Sequence, residues 1–177
     1  MNLDNHRTES FETHHGVLLN IAGNGVFIIG EPGIGKSSLA LDYLHDGHSL
    51  IADDCIEFKA NDTQSVIGHC PTMLAGLLHS RELGLIAVTE VFSPHAWQTE
   101  IQLDYVVHLK KEAIFDSAIK TEQKSYSVCE HSVPLLTLNI NSPASLINRI
   151  NTWLSIQSSH HIAIEMLTSR QQIQMKQ

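Results

Sequence analysis

The segment at residues 30–37 constrains the fold of this chain more than any other feature of the sequence. It reads Gly-Glu-Pro-Gly-Ile-Gly-Lys-Ser and matches the full pattern GxxxxGK[ST]. An apolar run at residues 26–29 precedes it and predicts a buried strand, and residues 38–46 place apolar side chains on one face of a predicted helix. A strand, a glycine-rich loop and a helix in this order are typical of a phosphate-binding loop in an α/β protein.

Each residue type in this loop has a physical role in holding phosphate. Gly33 and Gly35 permit backbone angles and close approaches that a Cβ would prevent, so neighbouring N–H groups can converge on phosphate oxygens. Lys36 is expected to reach the phosphates of ATP and to act in catalysis, and the Ser37 hydroxyl is expected to bind Mg²⁺. A turn that binds nothing is the disfavoured alternative, because the pattern is complete and correctly placed. The predicted nucleotide-binding residues are Gly30, Glu31, Pro32, Gly33, Ile34, Gly35, Lys36, Ser37 and Ser38.

Two adjacent carboxylates, Asp53 and Asp54, follow a short apolar run at residues 49–52. That run predicts a strand, and ligands of open α/β sheets lie at the carboxyl ends of strands, so the pair is expected beside the phosphate loop. One carboxylate would hold Mg²⁺, and the other would take the proton of an attacking hydroxyl. A solvated turn is the alternative for this pair. His15 begins the first predicted strand, and histidine is a common residue for proton transfer, although a lone histidine is more often structural.

Composition and charge exclude several classes of protein. The chain has 177 residues, a length that suits one domain, and a formal net charge of -8 without a large cluster of Lys or Arg. Nucleic acid is not an expected ligand, because binding to it needs basic groups that displace phosphate counterions. No run approaches the roughly 20 apolar residues that cross a bilayer, and the polar N-terminus lacks a signal peptide. We expect a cytoplasmic protein that does not enter a membrane.

The rest of the sequence predicts one domain at residues 13–177 after a disordered tail at residues 1–12. An Asn-Gly dipeptide indicates a hairpin turn at residues 22–25, and Ser142 followed by Pro143 indicates the start of a helix. The histidines lack the spacing of a zinc site. Further strands are predicted at residues 16–21, 49–52, 56–59, 101–109 and 133–140, with a short helix or loop at 73–78 and a polar helix from 159 onward.

Three stretches of the sequence resemble the catalytic domain of HPr kinase/phosphorylase, a bacterial enzyme that phosphorylates a serine of the phosphocarrier protein HPr. The family's opening His-Gly-Val-Leu appears at residues 15–18, and its phosphate loop appears at residues 30–37. Its Gly-His-x-Leu-Val-Ala-Asp-Asp segment appears at residues 47–54 as Gly-His-Ser-Leu-Ile-Ala-Asp-Asp. This last match is the most specific of the three, because it is long and unusual.

The resemblance implies an ATP-dependent protein serine kinase that also removes the serine phosphate by phosphorolysis and regulates carbohydrate metabolism through the phosphotransferase system. It implies a mixed sheet with flanking helices, related to phosphoenolpyruvate carboxykinase, and a hexameric assembly. Asp53 would be the base that activates the serine of HPr, and Asp54 and His15 would line the same site. The short length resembles forms of the enzyme that consist of the C-terminal catalytic domain.

The sequence departs from the family pattern at two places. The family signature Leu-Glu-Ile-Arg-Gly-Leu-Gly-Ile-Ile aligns with residues 78–86, where its magnesium-site Glu is His79, its first Gly is Glu82 and its Arg is kept as Arg81. The family's arginine-bearing loop aligns with residues 139–145, which hold no Arg or Gly, so the kinase activity is expected more strongly than phosphorolysis. The predicted metal-binding residues are Ser37, Asp54 and Glu82.

Two other functions fit the same residues. A small-molecule kinase or nucleotide hydrolase would keep the phosphate loop and would tolerate the altered position at His79. A non-catalytic nucleotide-sensing module would keep the loop and lose phosphoryl transfer. The protein kinase is the leading hypothesis, because the resemblance covers most of the chain.

Overall fold

A mixed sheet of seven strands organises the fold. This computed structural model describes residues 11–61, 65–112 and 123–159, together with residues 166, 169–171 and 173. The strands are β1 (Glu12–Ile21), β2 (Asn24–Gly30), β3 (Ser49–Ala60), β4 (Val66–His69), β5 (Leu77–Ser80), β6 (Gly84–Ala87), β7 (Glu100–Lys110), β8 (Lys124–Val128) and β9 (His131–Asn139). The helices are α1 (Lys36–His45), α2 (Val88–Val91) and α3 (Leu146–Ser158), with a 3₁₀ helix at Thr72–Leu74.

The strand order places the end of β2 at an edge where three parallel strands finish. The strand order is β2-β1-β3-β4-β7-β9-β8, and β2 also pairs with β7 in parallel. Five strands, β1, β2, β3, β4 and β7, therefore form a closed ring in which each strand pairs with the next. β9 lies outside this ring and pairs with β7 in parallel. Gly30 lies opposite Leu109, and Leu109 lies opposite Leu138, so the three carboxyl ends lie side by side. β5 and β6 form a separate antiparallel hairpin.

The central strand β1 is buried on both faces, because alternate residues of a strand lie on opposite sides of the sheet. Val17 packs in a cluster that includes Tyr43 of α1 and residues of α3. Leu18 lies on the other face and packs in a second cluster with Phe27 and Phe58. Full burial of side chains of this size stabilises the fold by about 2 kcal/mol each. Both faces of the strands next to the phosphate loop are therefore covered by apolar packing.

The predicted β1–β2 hairpin is confirmed, but its turn lies before the predicted Asn-Gly dipeptide. Ile21 pairs with Asn24, so Ala22 and Gly23 are the two turn residues. Both have positive φ angles, 52° and 88°, as type I′ hairpin turns require. Gly25 lies inside β2 instead, at a point where β7 approaches closely.

The carboxylate pair lies inside a strand, and the predicted strand end at this position is wrong. β3 continues through Asp53 and Asp54, because β1 pairs with it on both sides of the pair. Asp53 lies opposite Val17, and Asp54 lies opposite Gly16. Asp54 has a φ of 73°, in the left-handed region, while the chain keeps its place in the sheet. The two strands predicted on either side of the pair are therefore one strand.

The start of α3 also differs from the prediction. Ser145 caps this helix, and its Oγ accepts a hydrogen bond from the backbone N–H of Asn148 at 3.5 Å. The predicted cap at Ser142 is therefore wrong, and Pro143 lies outside the helix. A serine that can accept from the backbone N–H three residues later is the stronger cap, because it satisfies a free helix donor.

Some of the remaining predicted strands are confirmed, and some strands of the structure were not predicted. The strands predicted at residues 101–109 and 133–140 are confirmed as β7 and β9, whereas β4 and β8 are short strands that the sequence pattern does not predict. Most of the predicted N-terminal tail, and residues 160–165 of the predicted C-terminal helix, lie outside the described residues. Within the part of the chain that the structure describes, no helix is long and apolar enough to span a membrane.

We predict that Gly25→Ala destabilises the protein through a steric clash between two strands. A Cβ at Gly25 would lie 1.9 Å from the backbone oxygen of Gln102, so β2 and β7 would have to move apart. The free energy of unfolding, measured by chemical denaturation, should fall by about 3 kcal/mol or more. Gly47→Ala is the control, because that glycine has open space around it and a φ of 84°, and its substitution should cost about 1 to 2 kcal/mol. Equal losses in the two variants would contradict the steric explanation.

Candidate active site

The phosphate loop connects the end of β2 to the start of α1, as predicted. Gly33 and Gly35 have φ angles of 77° and 104°, and Gly35 is the residue that precedes α1. The N–H of Ile34 donates to the carbonyl of Glu31 at 3.2 Å and closes a turn within the loop. The first N–H groups of a helix have no partner within the helix, and they carry the positive end of its dipole. An anion in this loop would therefore meet both backbone donors and a favourable dipole.

Lys36 places its ammonium group against the loop. Its Nζ donates to the carbonyls of Gly30 at 3.0 Å and Glu31 at 3.3 Å, and the residue is 8% exposed. Burial lowers the pKa of Lys36, and the charges of Asp53 and Asp54 oppose that shift. A buried ammonium at the mouth of a loop lined with N–H groups is well placed to hold a phosphate oxygen.

Asp53 is the buried carboxylate of the site. Its Oδ1 accepts a hydrogen bond from the hydroxyl of Ser37 at 3.3 Å, and its Oδ2 accepts one from the backbone N–H of His79 at 2.8 Å. Burial raises the pKa of Asp53, and these two hydrogen bonds partly oppose the increase. Three elements, α1, β3 and β5, thus hold a carboxylate with an increased affinity for a proton. Such a group is suited to take a proton from a hydroxyl.

Asp54 and His15 form a second, exposed pair on the neighbouring strands. His15 Nδ1 lies 2.9 Å from Asp54 Oδ1, and the two side chains are 54% and 70% exposed. The structure thus brings Asp54 to the histidine, while Asp53 is the carboxylate next to the Ser37 hydroxyl. Because one carboxylate is buried and the other is exposed, the two adjacent acids lie in different environments.

The β5–β6 hairpin contributes the third side of the site. The backbone of His79 donates to Asp53, while the imidazole of His79 is exposed. The guanidinium of Arg81, in the hairpin turn, lies over Gly33 of the phosphate loop. Glu82 is exposed in the same turn, and among the described residues no hydrogen bond or ion pair joins it to the carboxylates of the site. The sequence analysis did not predict that Arg81 lies over the phosphate loop. The signal that could have indicated it is that Arg81 matches an arginine of the aligned family signature.

A magnesium ion bound together with a nucleotide fits the residues present. The Ser37 hydroxyl and the carboxylates of the Asp53–Asp54 pair are oxygen ligands of the kind that Mg²⁺ prefers, and nucleotide phosphates would supply more. Across the described ranges of the chain, no three His, Cys, Asp or Glu side chains converge on one metal position. Proteins commonly hold Mg²⁺ with few side chains, and phosphate or water oxygens supply the remaining ligands.

The fold and this site define a phosphate-loop α/β protein with a buried carboxylate beside the loop hydroxyl. A comparison with protein families matches residues 7–173 to the model of the HPr serine kinase C-terminal domain. The chain therefore belongs to the HPr serine kinase family and matches its C-terminal domain. The predicted family and the predicted mixed sheet with flanking helices are both confirmed.

Curated relatives of this chain are named HPr kinase/phosphorylase. The chain is 41% identical to the protein of Bordetella avium, over 59% of this chain and 34% of the relative. It is 40% identical to that of Pediococcus pentosaceus, over 71% of this chain and 41% of the relative. It is 30% identical to that of Bacillus pumilus, over 88% of this chain and 52% of the relative. The matched region thus spans between about a third and about a half of the length of these relatives.

A solved structure shares the fold of the chain. It is the Hpr(Ser) kinase/phosphatase from Coxiella burnetii, with a TM-score of 0.76 and 26% sequence identity. The match covers 92% of this chain and 98% of that one. The same arrangement of sheet and helices therefore extends over nearly the whole of both chains.

We predict that Asp53→Asn stabilises the protein at neutral pH and that this gain decreases in acid. The pKa of Asp53 in the folded protein is raised above its ordinary value of 3.8. The folded protein therefore keeps a proton that the unfolded chain releases as the pH rises above 3.8, and stability is lost as the pH increases through that range. Asparagine keeps an oxygen that can accept from His79 and carries no charge.

Chemical denaturation at about pH 3 and about pH 7 measures this difference. Asp46→Asn is the control, because that carboxylate is exposed at the end of α1 and should give no comparable gain at neutral pH. A gain for Asp53→Asn that is equal at both pH values, or larger in acid, would show that the buried charge is not its cause.

Proposed function

We propose that this chain is an ATP-dependent protein serine kinase that phosphorylates a serine of the phosphocarrier protein HPr. The observation that carries the proposal is the buried carboxylate of Asp53 beside the loop hydroxyl of Ser37, in a chain of the HPr serine kinase family. The names of the matched relatives and of the similar structure support HPr as the acceptor. The activity would regulate carbohydrate metabolism through the phosphotransferase system.

Binding of ATP uses the phosphate loop. The loop N–H groups and the ammonium of Lys36 would hold the phosphate oxygens, with Lys36 Nζ exchanging the carbonyls of Gly30 and Glu31 for them. Mg²⁺ bound with the nucleotide would neutralise charge on the phosphates. The Ser37 hydroxyl would hold this ion together with the Asp54 carboxylate, which leaves Asp53 free to take the proton of the acceptor serine. Ser38 and the other loop residues complete the proposed nucleotide site.

Asp53 would act on the acceptor serine. Its carboxylate takes the proton of the hydroxyl while the serine oxygen bonds to the γ-phosphorus and the bond from phosphorus to ADP breaks. The raised pKa of Asp53 favours this role, because the carboxylate then holds the transferred proton more strongly. His15, which Asp54 orients through a contact of 2.9 Å, would help to handle the proton and the phosphate. Glu82 remains a proposed further metal ligand from the hairpin turn.

The kinase direction is better supported than phosphorolysis. Residues 139–145 align with the family's arginine-bearing loop, and they hold no arginine between the end of β9 and the cap of α3. Resemblance to the family also supports a cytoplasmic hexamer. The family match favours the protein kinase over a small-molecule kinase and over a nucleotide-sensing module.

We predict that the purified protein transfers labelled phosphate from ATP to HPr and that two substitutions stop the transfer for different reasons. Lys36→Ala should lose both ATP binding and transfer, because the ammonium that holds the phosphates is gone. Asp53→Asn should keep ATP binding and should slow transfer by about 10²- to 10⁴-fold, the usual contribution of a general base. Equilibrium binding of ATP and the rate of label transfer separate the two effects.

Two controls make this experiment specific. HPr with its acceptor serine changed to alanine should take up no label. Asp46→Asn, which removes an exposed carboxylate, should transfer at the parental rate. If Asp53→Asn transfers at the parental rate, Asp53 is not the base. If the parent binds ATP and labels no HPr, the acceptor is another molecule or the chain is a nucleotide sensor.

A further inference from the structure

His14, the residue before His15, is held at both nitrogens of its ring. Its Nε2 lies 2.6 Å from Glu12 Oε1, and its Nδ1 lies 3.1 Å from the hydroxyl of Tyr126. Because a carboxylate can only accept hydrogen bonds, Nε2 carries the proton of the first contact. Burial raises the pKa of Tyr126, so its hydroxyl keeps its proton at neutral pH. Glu12, His14 and Tyr126 therefore form one chain of hydrogen bonds, the His14 network.

This network connects two strands that are not neighbours in the sheet. Glu12 and His14 lie in β1, whereas Tyr126 lies in β8, the last strand of the sheet order. The other carboxylate oxygen of Glu12 accepts a hydrogen bond from the backbone N–H of Cys129, in the β8–β9 turn. This contact lowers the pKa of Glu12, burial opposes it, and His14 lowers the pKa further. Glu12 is therefore a charged acceptor with one oxygen on the histidine and the other on the turn.

Aromatic packing fixes the segment of β1 that carries His15. The imidazole of His14 meets three rings edge to face, with ring centres at 6.0, 5.6 and 5.9 Å: Phe27, Phe58 and Tyr126. Gly16 lies on the same face, because a Cβ built on it would lie 2.4 Å from Phe27 Cε2. Both neighbours of His15 therefore pack against one aromatic ring, while His15 itself lies on the opposite face of β1.

The contact of His15 with Asp54 depends on the direction of this segment. In the β1–β3 pairing, His15 lies opposite Cys55 and Gly16 lies opposite Asp54, so the contact between the two side chains is diagonal. The left-handed conformation of Asp54, with a φ of 73°, lets its carboxylate reach the ring at 2.9 Å. Across the described ranges of the chain, no second side chain holds the ring of His15. A rotation of β1 at this point would therefore lengthen the contact.

We infer that the His14 network positions His15 against Asp54 and thereby contributes to the rate of phosphoryl transfer. The inference rests on the proposed function, in which His15 helps to handle the proton and the phosphate. The bonds that form and break are those of the proposed transfer, and the network itself gains and loses no proton. Its members are positioning residues, because they act on the inner face of β1 and reach the reaction only through His15.

The first test is a double-mutant cycle on the single-turnover transfer of labelled phosphate from ATP to HPr. Tyr126→Phe removes the hydroxyl and keeps the ring, and it should slow transfer by about tenfold, because misplacing a reacting group by about 1 Å can cost 10²-fold. ATP affinity should change by less than about twofold, since the network does not contact the nucleotide. In a His15→Ala background the same substitution should change the rate by less than about twofold, because residues that act as one unit are not additive.

Glu12→Gln tests the other end of the network. An amide has one accepting oxygen, so it cannot serve both His14 and the N–H of Cys129, and transfer should slow with the same dependence on His15. Tyr105→Phe is the matched control and should transfer at the parental rate. It removes the hydroxyl of a tyrosine that packs against Trp153, with ring centres 5.3 Å apart. Unchanged unfolding temperatures would show that the variants fold.

The second test does not need HPr. In protein with isotopically labelled histidine, the ring nitrogen signals of His15 report its hydrogen bond, and His15→Ala assigns them by their loss. Asp54→Asn gives the signal position for a weakened contact. Tyr126→Phe should move the His15 signals toward that position, whereas Tyr105→Phe should leave them unchanged. This movement, in a parent that does not label HPr, would support the role of the His14 network and refute the proposed acceptor.

Three results would overturn the inference. His15 signals that stay in place in Tyr126→Phe and Glu12→Gln would show that the ring keeps its contact without the network. An equal slowing of transfer with and without His15 would show that the network acts on the fold and not through this residue. Transfer at the parental rate in both variants would leave no positioning effect to explain.

Discussion

The buried carboxylate of Asp53 is the contact on which the geometry of the site depends. It lies in the middle of β3, and it accepts hydrogen bonds from the first turn of α1 and from the backbone of β5. A buried carboxylate that loses such a partner is destabilised by about 1 to 3 kcal/mol or more, so the three elements are strongly favoured to stay together. The same burial raises the pKa of Asp53, so the contact that positions the elements also gives the carboxylate its chemical character.

The sheet makes this arrangement possible because it places the phosphate loop and the Asp53–Asp54 segment next to each other. β2, β7 and β9 run in parallel and end together, so the phosphate loop leaves the sheet where neighbouring strands also finish. β1 and β3 run antiparallel to each other, and their pairing keeps the Asp53–Asp54 segment in the sheet beside that loop. Close packing at Gly25 and on both faces of β1 leaves these strands little freedom to move apart.

The two adjacent carboxylates lie in different environments although they are neighbours in one strand. Neighbouring side chains of a strand point to opposite faces, and the left-handed conformation of Asp54 adds a local change in direction. Asp53 is consequently buried against α1 and the hairpin, whereas Asp54 is exposed next to His15. The hairpin completes the arrangement, because its backbone holds one carboxylate and its turn carries Arg81 to the phosphate loop.

The sequence by itself determined the phosphate loop, the strand before it and the helix after it, because these depend on local spacing of glycine, apolar and hydroxyl residues. It also identified the positions of β1, β2, β7 and β9 and the family, since both leave clear patterns within single segments. It did not determine that the carboxylate pair lies inside β3, because continued pairing with β1 overrides the local turn signal of two aspartates.

The tertiary structure alone decided which carboxylate lies beside Ser37, which one meets His15, and where the hairpin carries Arg81. These contacts join residues that are far apart in the chain, and their distances follow from strand pairing and core packing rather than from any local pattern. For that reason the residue types of the site could be read from the sequence, whereas their division of roles required the fold.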